Sequence, residues 1–220
     1  MRFLDRTDAG RRLASALAQY RDQHPVVLAL PRGGVPVAAE IANALSAPLD
    51  LVLVRKIGLP WQPELAIGAV VDGTAPVVVR NEALISLAGV KENEFQRICR
   101  RELAEIDRRR ARYLGAGTQV PVAGQTVIVV DDGMATGATA RAALRAIRHR
   151  GPLKVVLAVP VASAEAVAEL RGEVDDLVYL DAPKPFVAIG HFYRDFGEVS
   201  DEEVVSVLAR FPASKRQAGR

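Results

Sequence analysis

Five short apolar runs, PVVLAL near residue 27, DLVLV near 52, TVIVV near 128, KVVLAVPVA near 158 and DDLVYL near 178, alternate with stretches of helical periodicity. Such alternation predicts parallel strands joined by crossover helices. The runs are continuously apolar, not alternately so, which predicts a sheet covered on both faces. The expected fold class is α/β: an open, mostly parallel, twisted sheet with helices on both faces. Helical patterns span residues 9–20, 35–45, 91–113, 139–150, 164–170 and 201–209. Ser200 with Glu203 three residues on forms a capping-box signature for the last of these. In IGAVVDGTAPVVV, two β runs flank Asp72-Gly73, a hairpin signal, and the hairpin is expected to pair antiparallel beside the main sheet.

With 220 residues, the chain is expected to form a single domain, with its core over about residues 24–182 and a small lobe over about 183–212. The polar tail after Pro212 is expected to fray. A net charge of +3 on 29 basic and 26 acidic residues is too mild to nominate nucleic acid or a membrane as the main partner. The longest apolar runs fall short of the roughly 20 residues that span a bilayer. Cys99 stands alone, so no internal disulfide is expected, and no opening stretch reads as a secretory signal, which points to a cytoplasmic protein. His24 and His149 lack ligand-spaced partners, so no transition-metal site is expected. The arginine-rich segment around residues 95–113 keeps Phe95, Ile98, Cys99, Leu103, Ile106 and Tyr113 on one side, while Glu94, Glu102, Glu105 and Asp107 interleave with the arginines. It reads as an amphipathic helix with a solvated, salt-linked face.

The chemistry concentrates in VIVVDDGMATGATA, residues 127–140. Ligands of open parallel sheets bind beyond the carboxyl ends of strands. After the strand come Gly133, Ala135, Gly137 and Ala138, small residues whose backbone N–H groups can converge on an oxyanion at a helix N-terminus. Thr136 and Thr139 add hydroxyl donors. Asp131 and Asp132 would repel a bare phosphate, and suit a ligand that carries hydroxyls or a metal beside its phosphate. A sugar phosphate meets both demands. The P-loop lysine and the G-x-G-x-x-G fingerprint of dinucleotide folds are both missing.

VIVVDDGMATGAT resembles the signature of type I phosphoribosyltransferases. The resemblance implies that family's fold, with a β-hairpin flexible loop and a small hood, and transfer of the 5-phosphoribosyl group of 5-phosphoribosyl-1-pyrophosphate to a nitrogen acceptor. It assigns Asp131 and Asp132 to the ribose hydroxyls and Ala135, Thr136, Gly137, Ala138 and Thr139 to the 5-phosphate. PRGG, residues 31–34, resembles the family's pyrophosphate loop, with Arg32 and the Gly33 and Gly34 amides facing the leaving group. VRKIGLPWQPELAIG resembles the mobile catalytic loop, with Arg55 and Lys56 at a strand end. There Glu64 is either a proton donor or acceptor or an exposed loop carboxylate. Phe192 and Tyr193 either stack on a planar acceptor or pack the C-terminal helix onto the sheet. Ala135 stands where family members acting on 6-oxopurines carry an acid, so this chain is nearer the adenine and orotate enzymes there. The resemblance further implies Mg²⁺ bound mainly through the substrate, and a homodimer. A regulatory module sensing the sugar phosphate or a nucleotide is the alternative reading.

Overall fold

A computed structural model describes residues 2–73, 76–115 and 119–211. The tail expected to fray, from Pro212 onward, lies outside the described residues. In chain order the elements are α1 (Arg6–Ala16), β1 (Val26–Ala29), α2 (Gly34–Leu45), β2 (Leu49–Leu51), β3 (Val54–Leu59), β4 (Gln62–Val71), β5 (Val77–Arg80), α3 (Glu82–Leu87), α4 (Glu92–Leu114), β6 (Thr126–Val130), α5 (Ala138–Arg148), β7 (Lys154–Val161), α6 (Ala164–Leu170), β8 (Asp176–Asp181) and α7 (Asp201–Ala209). The main sheet has the order β2-β1-β6-β7-β8, with every pair parallel.

The continuous apolar runs have the expected consequence, since β1, β2 and β6 are buried along their whole length. Alternate residues of β6 face opposite layers. Ile128 and Val130 join a core built with α1, α2, α4 and α7, whereas Val127 and Val129 join one built with α5 and α6. Helices therefore cover both faces. No helix among the described residues is long and apolar enough to cross a membrane.

Three expectations need correction. The hairpin of residues 67–79 pairs antiparallel as expected but does not extend the main sheet: β4 and β5 pair with each other, and β4 also pairs with β3, giving a separate three-stranded sheet. The chain leaves the main sheet after Leu51, and the Leu53 N–H donates to Asp72 Oδ1 at 2.9 Å. Arg55 and Lys56 therefore sit inside β3, not at the end of a core strand. The first helix starts earlier than its periodicity suggests because Asp5 caps it by accepting from the Asp8 N–H, and it gives way after Ala16 to a 3₁₀ turn over Ala18–Gln23. By contrast α7 starts where Ser200 predicts, with both arms of the capping box formed.

Candidate functional site

The loops after β1 and β6 meet at the carboxyl end of the sheet, joined by the Leu30 N–H donating to the Val130 carbonyl at 2.9 Å. The PRGG turn, whose Pro31–Arg32 peptide is cis, lies directly on the acid pair. A β-carbon on Gly33 would collide with Asp132 Oδ2, and one on Gly34 would stand 2.6 Å from the Val130 carbonyl oxygen. Both positions need glycine because of close approach, not backbone conformation. Gly33→Ala is accordingly expected to push Asp132 aside and weaken sugar-phosphate binding about tenfold while leaving the sheet folded, measurable by calorimetry alongside circular dichroism. Wild-type affinity in this variant would show that the contact is not needed.

Asp131 Oδ1 accepts the Asp132 N–H at 2.9 Å, and Asp132 Oδ2 accepts from Arg6 Nε at 2.8 Å. The Tyr193 hydroxyl donates to the Asp132 carbonyl at 2.5 Å. Desolvation, and then the neighbouring Asp132 charge, push the Asp131 carboxyl well above the usual carboxylate range; the Asp132 N–H and Arg6 offset this only in part. Burial also raises the Asp132 carboxyl, with the Arg6 hydrogen bond and charge pulling the other way. An unliganded pocket that disfavours its own charges is suited to a ligand that brings hydroxyl donors.

Beyond the acids, Gly133 packs under Ile189, and Met134 is held by backbone hydrogen bonds to Val161 and Ser163. The Ser163 hydroxyl donates to the Ala135 carbonyl at 2.6 Å. Gly137 adopts φ +68°, a left-handed conformation that turns the chain into α5. Ala135, Thr136, Ala138 and Thr139 are exposed around the first turn of that helix. An open ring of small residues at a helix N-terminus is chemically an oxyanion cradle.

Thr139 also borders a cleft of about 470 Å³ between the β3–β4 hairpin and α4. Its walls carry Arg55 and Lys56 from β3, Glu64 from β4, and Arg97, Arg101 and Glu102 from α4, four basic side chains against two acids. The structure thus brings Arg55, Lys56 and Glu64 together with the end of the cradle. Glu102, expected on a solvated face, is only 5% exposed. Its two oxygens are shared between Arg55, at 2.8 Å, and Arg101, also at 2.8 Å. An interleaved charge pattern in the sequence hides such a contact, because the partner Arg55 lies on another element.

The acceptor-stacking assignment of Tyr193 changes. Tyr193 is 1% exposed, with ring centroids 5.3 Å from Phe3 and 4.9 Å from Phe196, so neither face is open to stack on an acceptor. It is a core residue that supports Asp132. Phe192 is half-buried against Phe186 at 5.4 Å. Arg32, expected to face pyrophosphate, is paired with Glu198 and lies 3.5 Å from Asp201 at the start of α7. Sequence reasoning missed Arg6, Arg97, Arg101 and Glu102. Only the basic composition of the α4 segment offered a signal for any of them.

The phosphoribosyl transferase domain model matches residues 102–191, which include the acid pair and the cradle. Two curated relatives from two strains of Mycobacterium tuberculosis, named provisionally as phosphoribosyl transferases, are each 45% identical over 217 residues. That alignment takes in 99% of this chain but 48% of theirs, so the chain spans about half the length of these relatives. The crystal structure of TT1426 from Thermus thermophilus superposes with a TM-score of 0.84 at 44% identity, covering 96% of this chain and all of that one. With the acid pair and small-residue loop seated at the strand ends of a parallel sheet, and with these relatives across its length, the chain belongs to the phosphoribosyltransferase family.

Proposed function

We propose that the protein is a Mg²⁺-dependent phosphoribosyltransferase that moves the 5-phosphoribosyl group of phosphoribosyl pyrophosphate onto a nitrogen acceptor, a nucleobase or related amine, and releases pyrophosphate. The observation that carries this reading is the pairing of the recessed acids Asp131 and Asp132 with an exposed backbone cradle at the start of α5. The acids accept hydrogen bonds from ribose hydroxyls, while Thr136, Thr139 and the loop amides hold the 5-phosphate. The acceptor nitrogen attacks ribose C1 as the bond from C1 to pyrophosphate oxygen breaks, and the bonding electrons leave with pyrophosphate. Arg55 and Lys56 lie on the cleft that borders the cradle and neutralise the charge gathering on the leaving group. Arg32 serves the same group once its carboxylate partners Glu198 and Asp201 are exchanged for phosphate oxygens. Glu64, exposed on β4 in the same cleft, takes or supplies the acceptor's proton.

Among the described residues, no group of three His, Cys, Asp or Glu side chains is placed to hold a metal ion. Mg²⁺ would be carried mainly on substrate oxygens, as this ion commonly is. So bound, it supplies charge neutralisation to the pyrophosphate.

The test is pyrophosphate release from phosphoribosyl pyrophosphate with Mg²⁺ across a panel of bases and amines, led by adenine and orotate because Ala135 supplies no acid for a 6-oxopurine. Release with an acceptor is the expected result. Tight binding with no release under any acceptor would replace the enzyme with a sensor of the sugar phosphate.

A further inference from the structure

The amino-terminal segment lies against the acid pair. Its backbone is tied to the 186–197 region by the Phe3 N–H donating to the Phe192 carbonyl at 2.7 Å, the Arg194 N–H to Phe3 at 2.9 Å and the Asp195 N–H to Leu4 at 2.9 Å. Phe3 is fully buried on Tyr193, and Asp5 caps α1, so Arg6 enters the first turn in a fixed place. Three contacts then hold its guanidinium. Nε donates to Asp132 Oδ2 at 2.8 Å, a terminal nitrogen donates to the Gly197 carbonyl at 2.8 Å, and the group lies 3.9 Å from the Phe196 ring centroid. The Arg6 and Asp132 side chains are each 12% exposed, so this is a desolvated pair and not a solvent-screened surface bridge.

We propose that Arg6 is a positioning residue for Asp132, which makes the amino-terminal segment part of the sugar-phosphate site. The inference rests on the ribose role given above to Asp132. Two adjacent desolvated carboxylates with no counter-ion would share a proton. A half-protonated Asp132 is a poor acceptor for ribose hydroxyls. Arg6 keeps the negative charge on Asp132 and fixes Oδ2 in place for the ligand. The groups that face this carboxylate or its partner are Asp131 on the same loop, Arg6 from α1, Tyr193 from the C-terminal region and Glu203 of α7, whose carboxyl feels the Arg6 charge. Of these, only Arg6 brings a positive charge.

Calorimetric titration of phosphoribosyl pyrophosphate, ribose 5-phosphate and inorganic phosphate into wild type, Arg6→Ala and Arg6→Lys, from pH 6 to 8.5, tests this. Arg6→Ala is expected to weaken both sugar phosphates about tenfold at pH 7, the worth of one charge-assisted hydrogen bond. Inorganic phosphate, held by the cradle alone, should bind as in wild type. The deficit should shrink as pH rises and Asp132 loses its shared proton, a pH profile that mere loss of packing would not produce. Arg6→Lys keeps the charge without the fork and should recover part of the affinity; it carries the test by itself if the alanine variant does not fold. Wild-type affinity for ribose 5-phosphate in either folded variant overturns the proposal, as does an equal loss for inorganic phosphate. Wild-type protein that binds inorganic phosphate but neither sugar phosphate would instead remove the ribose role of Asp132, and the proposal with it.

Discussion

Asp131→Asn is expected to weaken phosphoribosyl pyrophosphate binding about tenfold to a hundredfold and yet to leave the unliganded protein at least as stable as wild type at pH 8. The two halves share one cause. Asp131 is recessed beside Asp132, and the hydrogen bond it accepts from the Asp132 N–H can also be accepted by an asparagine oxygen of the same shape. Its folded carboxyl is pushed well above the ordinary value of 3.8, first by desolvation and then by Asp132. As pH rises from about 4, the unfolded chain releases this proton while the native state still holds it, so stability falls through that window until the folded carboxyl ionises. Above that window wild type carries the full penalty of a desolvated charge, and the amide carries none. On the proposed ribose role the same charge accepts sugar hydroxyls, so removing it should cost binding, with stability given up for function at this position. Melting curves from pH 4 to 8 should show a steeper loss for wild type than for the variant. A variant clearly less stable than wild type at pH 8, or one binding the sugar phosphate unchanged, would overturn this account.

What could be read in the sequence follows from the range of the interactions involved. The core strands were legible because burial on both faces writes an unbroken apolar run into each of them, and α7 was legible because its capping box lies within four residues. The clustering of the acid pair and the small-residue loop at a strand end was legible because one contiguous segment carries both. Arg6 was not, since its partner Asp132 is 126 positions away and an arginine at the start of a helix looks like any surface charge. Glu102 shows the limit of periodicity in another way. Helical spacing says which face a residue occupies, but the neighbour that covers Glu102 is Arg55 of β3, 47 residues distant. The start of β3 was misplaced for the same reason. LDLVLVRKIGL reads as one strand running into a basic loop, and the bend between Leu51 and Val54 is set by Asp72, 19 residues from Leu53.

That distant aspartate supports the second large expectation: Asp72→Ala should cost about 3–5 kcal/mol of folding stability, the range for removing one partner of a buried ion pair. Asp72 Oδ1 accepts the Leu53 N–H at 2.9 Å, and Oδ2 accepts from Arg110 of α4 at 2.6 Å. The Asp72 side chain is 3% exposed and that of Arg110 is 17%. On the far side of the guanidinium, Asp50 Oδ1 is 4.0 Å away, while its Oδ2 accepts the Val120 N–H at 2.8 Å. Burial raises the Asp72 carboxyl, and Asp50 adds to this, against the pull of Arg110 and the Leu53 N–H. The pair is therefore costly to bury and more costly to break. Alanine would strand the Arg110 charge beside a carboxylate too far for a strong hydrogen bond, and would leave the Leu53 N–H without its acceptor. Asp72→Asn keeps an acceptor for Leu53 and loses only the charge, so its cost should be smaller, about 1–2 kcal/mol. Because β3 begins one residue after Leu53, loosening this knot also frees the strand that carries Arg55 and Lys56 over the cleft. Urea unfolding at pH 7 should rank wild type above Asp72→Asn and Asp72→Ala last; a loss under about 1 kcal/mol for the alanine variant would mean that the second sheet is held by its apolar contacts with α4 and α5 and not by this buried charge network.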